Sequence, residues 1–193
     1  KEMIIMKEYL ERASYTWSED SIRLINTPSQ AVRQKFFYVQ EVGYFETTPP
    51  YFTERQNLNS YLIVYTLSGK GELRYNHKKY MVYPGQAFYI NCIPHHWYAC
   101  ADNSGWDILW LHFNGVTAHG YYDEFSKNQF SIVKFDDTFF IESTMRRILS
   151  LTIKKDIHSE IISSNLIVNL LTELIIRNND KSLALSFMPD YIK

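Results

Sequence analysis

Histidines are the side chains here best suited to hold a metal or move a proton, and two of the six, His95 and His96, are adjacent. A metal site needs three or four converging ligands, typically histidine and carboxylate. The pair follows Pro94, His112 stands two residues after Trp110, and the run Tyr61 to Tyr75 offers Glu72 and no histidine. With one or two ligands in reach, no metal and no other cofactor is expected. His95 then reads as a turn residue and His112 as a packed, hydrogen-bonded position beside Trp110. His77 fits a hairpin turn, and His119 and His158 fall near helix ends, on the surface. The sequence has no Gly-x-Ser-x-Gly elbow, phosphate loop or suggestively paired carboxylates, so no catalytic residue is proposed. A binding site for a polar small molecule asks for something different: a flat aromatic to stack on and a few fixed donors. A hydrogen bond to a charged group contributes about 1.5–3 kcal/mol net, so one arginine can decide affinity and orientation.

Composition narrows the classes. At 193 residues the chain suits one domain with its own core, with or without an appendage. A net charge of −1 gives no whole-chain attraction to nucleic acid or to an anionic membrane. No apolar run reaches the ~18 residues of a membrane span, and Lys1 to Arg12 alternates charge with apolar residues rather than forming a signal peptide. Cys92 and Cys100 lack metal or redox spacing and fit a reducing cytoplasm. Aromatic residues make up 16%, with 15 tyrosines; tyrosine suits wet pockets and interfaces, and equally fills a small core.

The elements that must position these residues centre on Tyr61 to Gly115. β-branched and aromatic runs are cut there by Ser68-Gly69-Lys70-Gly71, Asn76-His77-Lys78, Pro84-Gly85 and Pro94. Turn signals every ~8–12 residues predict an antiparallel sandwich or small barrel. Its last strand, Trp106 to Phe113, puts Trp106, Ile108, Trp110 and His112 on one face and Asp107, Leu109, Leu111 and Phe113 on the other. Large apolar residues on both faces imply a strand covered twice. Before the meander, Met3 to Leu10 suggests a short amphipathic helix or tail. Ser14 to Ala31 suggests an irregular arm, Val32 to Glu46 a strand, and Tyr51 to Arg55 a second extended piece. After it, helices are predicted over 117–126, 137–154 and 159–177, with a strand over 130–135. The apolar stripe of the 159–177 helix spans roughly 220°, beyond the ~100° one core requires. Two covers are possible: a second copy of the chain, or a helix sunk between the barrel and the 137–154 helix. The copy is preferred, with Leu166, Ile167, Leu170, Leu171 and Leu174 at a homodimer seam. Met188-Pro189-Asp190-Tyr191-Ile192-Lys193 reads as the opening turn of a further helix, so the chain is expected to continue.

Tyr65 with Ser68-Gly69-Lys70-Gly71, then Pro84-Gly85, Pro94-His95, and Trp110 with His112-Phe113 and Gly115 resemble, in order and spacing, the effector-binding domain of AraC-type bacterial transcription regulators. The direct likeness covers about 60 residues; the helices that follow extend it. The resemblance implies a β-rich α+β fold, a cupin-like (jelly-roll) barrel followed by two C-terminal helices. Residues 1–31 would be an N-terminal helix and arm, with the 14–31 stretch closing over a ligand, 32–135 the barrel, and 136–180 the dimerisation segment. Residues 181–193 would lead to a DNA-binding domain with two helix-turn-helix units, absent from this sequence. The effector implied is a small molecule, usually a sugar, and the setting is cytoplasmic. Arg55 stands where sugar-binding relatives place a contacting arginine, and Trp97 and Trp110 match two of their aromatic pocket positions. Ile108 replaces a polar contact, so the same sugar is not expected. Strand alternation adds Tyr65 and Tyr89 as further pocket candidates. The competing classes are a metal-dependent cupin isomerase or dioxygenase using His95, His96 and a further carboxylate, and a dimerisation module with a filled barrel.

Overall fold

Alternation along Trp106–Gly115 organises the chain as expected, with large side chains on both faces. In the computed structural model, which describes residues 8–127 and 129–186 (181–186 as backbone only), this strand is the tenth of eleven. In chain order the elements are β1 (Leu10–Ser14), β2 (Ile22–Ile25), α1 (Gln30–Lys35), β3 (Phe37–Thr47), β4 (Phe52–Gln56), β5 (Tyr61–Gly69), β6 (Gly71–Tyr75) and β7 (Lys78–Val82). They continue with β8 (Gln86–Asn91), β9 (His96–Cys100), β10 (Trp106–Gly115), α2 (Ala118–Ser126), β11 (Val133–Lys134), α3 (Thr138–Lys154) and α4 (Ile157–Ser186). Two antiparallel sheets result, ordered β1-β4-β9-β6-β7 and β11-β8-β5-β10-β3-β2.

The second sheet separates two cores. Its inner face sends Leu62, Val64, Phe88, Ile90, Ile108 and Trp106 toward the first sheet, where they meet Leu73, Tyr75 and Tyr98. Trp106 is fully buried there, with its indole N–H donating to Thr66 Oγ1 at 3.0 Å. The outer face sends Ile63, Tyr65, Tyr89, Leu109, Leu111 and Phe113 against α2, α3 and α4. Most of the barrel interior is therefore packed solid, and space remains at one end.

Several boundaries differ from the sequence expectation. The suggested helix over 3–10 falls mainly on residues 1–7, outside the described residues, and Leu10 already opens β1. The 14–31 stretch is no loose arm: β2 is the edge of the second sheet, and α1 begins at Gln30. Ser29 caps α1, its Oγ accepting from Val32 N–H, so Val32–Lys35 is helical and β3 starts only at Phe37. Between 130 and 135 only Val133–Lys134 pairs as strand. The final turns of sequence, from Met188 onward, lie outside the described residues.

The five side chains expected at a dimer seam belong elsewhere. Leu166, Ile167, Leu170, Leu171 and Leu174 are all buried in the chain's own core, against β3, α2, α3 and β11. The wide apolar stripe is covered on three sides by one copy, because α4 is sunk between the sheet and two helices. That burial also accounts for the hydropathy of Ile157–Asp180, which by length and composition alone could cross a membrane. Among the described side chains of α4, the exposed large apolar residues are instead Ile157, Ile161, Ile162 and Ile176. Leu170→Ala, leaving a cavity in this core, is expected to cost about 2–5 kcal/mol in urea unfolding. The loss should not vary with protein concentration, as it would if Leu170 lay between subunits.

Candidate functional site

The polar groups of the barrel converge at the end where the first strand crosses its mouth. In the β1–β4 ladder Glu11 lies directly opposite Arg55, and Arg12 opposite Glu54. Alternation turns the first pair inward and the second outward, each as an ion pair, so crossed charges fix the register. Arg55 is only 6% exposed. Its Nε and Nη2 donate to one oxygen of Glu11 at 3.2 and 2.8 Å, and its Nη1 lies 3.0 Å from His112 Nε2. A guanidinium has no acceptor, so His112 Nε2 must be the unprotonated nitrogen. The proton then sits on Nδ1, which donates to Ser60 Oγ at 2.9 Å, and the Ser60 hydroxyl in turn donates to Tyr61 O.

Charges at this mouth are strongly conditioned. Burial opposes ionisation of Glu11, but hydrogen bonds from Tyr9 and Arg55 and the Arg55 charge outweigh it and bring the carboxyl down to about 2. Burial likewise opposes the Arg55 charge; Tyr98 and Glu11 overcome it and raise the pKa above the ordinary value. His112 is pushed well below the ordinary imidazole value by burial, then by Arg55. His96, opposite Arg55 on β9, is lowered to about 4, again chiefly by burial. Both rings are neutral at physiological pH.

A second layer lies over this one. A β-bulge between His112 and Phe113 makes Gln40 the extra residue of β3. Its Nε2 donates to Asn59 O, while its buried Oε1 has no hydrogen-bond partner among the described residues. Trp110, 5% exposed, leans on Phe45 with ring centroids 5.0 Å apart, and its Nε1 donor is also unpartnered. Gly43 makes room for that indole, since a Cβ there would come within 2.6 Å of the ring and collide with Ile22 O. Arg23 on β2 pairs with Glu41 at 2.9 Å and lies over the Tyr15 ring, and Trp17 stacks on Phe45 at 4.3 Å. Arg55 and Glu41 border two hollows. One, about 100 Å³, is lined by Tyr9, Glu11, Gln40, Ser60 and His112; the other, about 10 Å³, by Tyr15, Arg23 and Trp110. A larger hollow of about 570 Å³ beside the β6–β7 turn is walled by the exposed Arg74, Asn76, His77, Lys78, Lys79 and His95, with no unpartnered buried polar atom.

Of the five expected pocket residues, two meet. Arg55 and Trp110 face the same space. Trp97 does not: it points to the outer face of β9, where the Arg74 guanidinium stacks on it at 4.3 Å. Tyr65 and Tyr89 lie on the outer face of the second sheet, Tyr65 against Phe135 and Tyr89 among Phe113, Tyr122 and Phe125. His95 and His96 point apart, the first to Glu54 at the surface and the second inward to Pro94 O. Among the described residues no group of three or more His, Cys, Asp or Glu converges to hold a metal. The residues missed were Glu11, Ser60, Gln40, Glu41 and Arg23. The shared face of Trp110 and His112 was visible in the alternation of β10, and Glu41 could have been found opposite His112 had the bulge been placed.

Both buried imidazoles bind a proton more readily in the unfolded chain than in the fold. Their stabilising contribution is therefore present above pH 6.5 and lost as pH falls toward about 4, where His96 titrates in the fold. The melting temperature is expected to drop through that window, and His96→Gln should flatten the slope; a flat profile in the parent chain would contradict neutral burial.

No curated protein matches the chain. Among solved structures, YhaK from Escherichia coli aligns at 11% identity and a TM-score of 0.45, over 54% of this chain and 48% of that one, under half its length. The plu4264 protein of Photorhabdus luminescens aligns at 16% identity and a TM-score of 0.40, over 55% and 82%. The Cupin_2 domain of an XRE-family transcriptional regulator from Enterobacter cloacae gives 14% and 0.36, over 55% and 96%. The family model for the AraC-like ligand binding domain matches residues 38–171, from β3 into α4 and more than half of the chain. With a cupin-like two-sheet barrel, a covered polar mouth and helices packed behind, this chain belongs to the AraC-like ligand binding domain family.

Proposed function

We propose that this domain senses a small hydroxylated effector, of the sugar class, at the mouth under β1, and is not an enzyme. One observation carries the proposal: a buried arginine and a buried tryptophan with a free indole donor face one space, beside a neutral imidazole. An arginine supplies directed donors for hydroxyls, and an indole supplies both a flat face and an N–H. The domain would work in the cytoplasm within a transcription regulator, reaching DNA through a helix-turn-helix domain outside this sequence. Binding would alter the arrangement of that regulator through unequal affinity for two states. The test is thermal unfolding against mono-, di- and trisaccharides. A ligand at a hundred times its dissociation constant adds about 2.7 kcal/mol, a rise of about 5–10 °C for this size. The rise should vanish in Arg55→Ala and shrink in Trp110→Phe, which keeps the ring and removes the donor. No rise with any sugar would favour a filled barrel, and stoichiometric iron, manganese or zinc in the purified protein would replace a sensor with a metalloenzyme.

The proposal includes a homodimer, through a face of α4 other than the one first expected. Ile157, Ile161 and Ile176 are 43, 42 and 49% exposed, with Ile153 at the end of α3 adding to them. Ile161→Glu is expected to lower self-association in sedimentation equilibrium while leaving the melting temperature of the monomer within about a degree, since surface substitutions usually stay within ~0.5 kcal/mol.

A further inference from the structure

Glu11 occupies the bonding edge of Arg55 that a ligand would use. It takes two of the guanidinium N–H groups on one oxygen, and both Tyr9 and Tyr15 donate to the same carboxylate, at 2.6 and 3.0 Å. With this cover in place the larger hollow is about 100 Å³, below the ~300 Å³ at which small-molecule pockets begin. A ligand gains room only by displacing what covers it. The Glu11 side chain, already one-third exposed, is the piece of the cover that reaches Arg55.

Displacement has an electrostatic consequence. With Glu11 in place the mouth holds Arg55, Arg23, Glu11 and Glu41, and its charges cancel. Without Glu11, two guanidinium groups face one carboxylate, and Glu41 is already committed to Arg23. His112 cannot compensate, because it is neutral and gives Arg55 an uncharged acceptor. A buried guanidinium stripped of its counter-charge is strongly unfavourable. A neutral sugar leaves that deficit standing; a ligand carboxylate removes it, with the bidentate geometry guanidinium favours. The unpartnered Trp110 Nε1 donor and Gln40 Oε1 acceptor remain for hydroxyl groups.

We propose that the effector is an acidic sugar of the uronic acid class, whose carboxylate takes the place of Glu11 on Arg55. This rests on the sensor function above and names its ligand class. Glu11 is then an internal competitor that occupies the mouth until the effector arrives.

Isothermal titration of the 193-residue chain tests it, with D-galacturonate and D-glucuronate against D-galactose, D-glucose and acetate. One uronate should bind at least about tenfold more tightly than its neutral counterpart, the factor a charge-assisted bond supplies. Glu11→Gln should tighten that uronate by about tenfold, because the competing charge is gone, and should also tighten the neutral sugars, since any ligand must displace residue 11 from Arg55. Arg55→Gln should abolish the preference for the acid. A neutral sugar binding as well as its uronate, or a Glu11→Gln variant with unaltered uronate affinity, overturns the acidic assignment and leaves the sensor standing. Acetate binding as tightly as the uronates overturns the sugar part. Silence toward all of these and toward the wider saccharide panel overturns both proposals.

Discussion

One strand with two covered faces is the constraint from which the rest follows. β10 pairs with β3 on one side and β5 on the other, and from Ile108 to Phe113 every residue on both of its faces is buried. Inward it presents Trp106, Ile108 and Trp110; outward Leu109, Leu111 and Phe113. Burying both sets requires a second sheet in front and helices behind, which is the order in which the chain supplies them. At about 25 cal/mol per Å² of apolar surface, side chains of this size dominate the folding free energy, and the polar mouth is built within what they allow. Trp106 fills the interior behind the mouth, and where β10 runs from Trp110 to His112 two small hollows of about 10 and 100 Å³ survive.

That end is also where the chain tolerates charge. Burying an arginine is acceptable only with a partner and a full set of hydrogen bonds, and Arg55 obtains them from three directions. Glu11 comes from β1 at the edge of the first sheet, His112 from the interior strand β10, and Ser60 fixes the tautomer that lets His112 accept. The arrangement is satisfied without any ligand, yet among the described residues four buried side-chain atoms have no partner, and three of them, Trp110 Nε1, Gln40 Oε1 and His96 Nε2, lie beside it, the fourth being Tyr89 OH on the outer face of the second sheet. Native interiors leave few such atoms, so their clustering at the mouth sets it apart from the packed interior.

The fold was legible in the sequence where period and punctuation agreed. The meander from β5 to β10 and the helices α2 and α3 stand close to their expected places, because turn residues bracket each run. The site was legible only in part. Arg55 and Trp110 lie on strands with one inward parity and face one space. Tyr65 and Tyr89 lie in strands buried on both faces, β5 reading as six buried residues in a row, so alternation gave no polarity to choose by. Trp97 was misplaced because the outer face of the first sheet is shielded by Arg74 rather than by apolar packing. Glu11 was out of reach: its neighbours have helix-like spacing, and only pairing with β4 turns it inward. The leucines of α4 show the same limit, since a wide stripe says that two covers exist and not whether the second is another chain.

The mouth and α4 are joined by more than the sheet. After β2 the chain enters α1 through Ser29, whose N–H and hydroxyl both donate to Glu160 on α4, at 2.8 and 2.7 Å. Two turns of chain later, Phe37 N–H donates to Ser164 Oγ on the same helix. The segment that carries Arg23 to the mouth is thus pinned at its far end to the helix whose outer face is free. Proximity of this kind becomes coupling only if an element has two arrangements that both ends distinguish. Under the proposed displacement, Glu11 on Arg55 and Glu11 off it would be two such arrangements at the mouth, differing by one buried charge. A ligand that supplies the missing charge stabilises the second by its differential affinity and by nothing else. The free energy available to the rest of the molecule would be bounded by that difference, so under the proposed function the chemistry at Arg55, rather than the size of the barrel, would set what the domain reports.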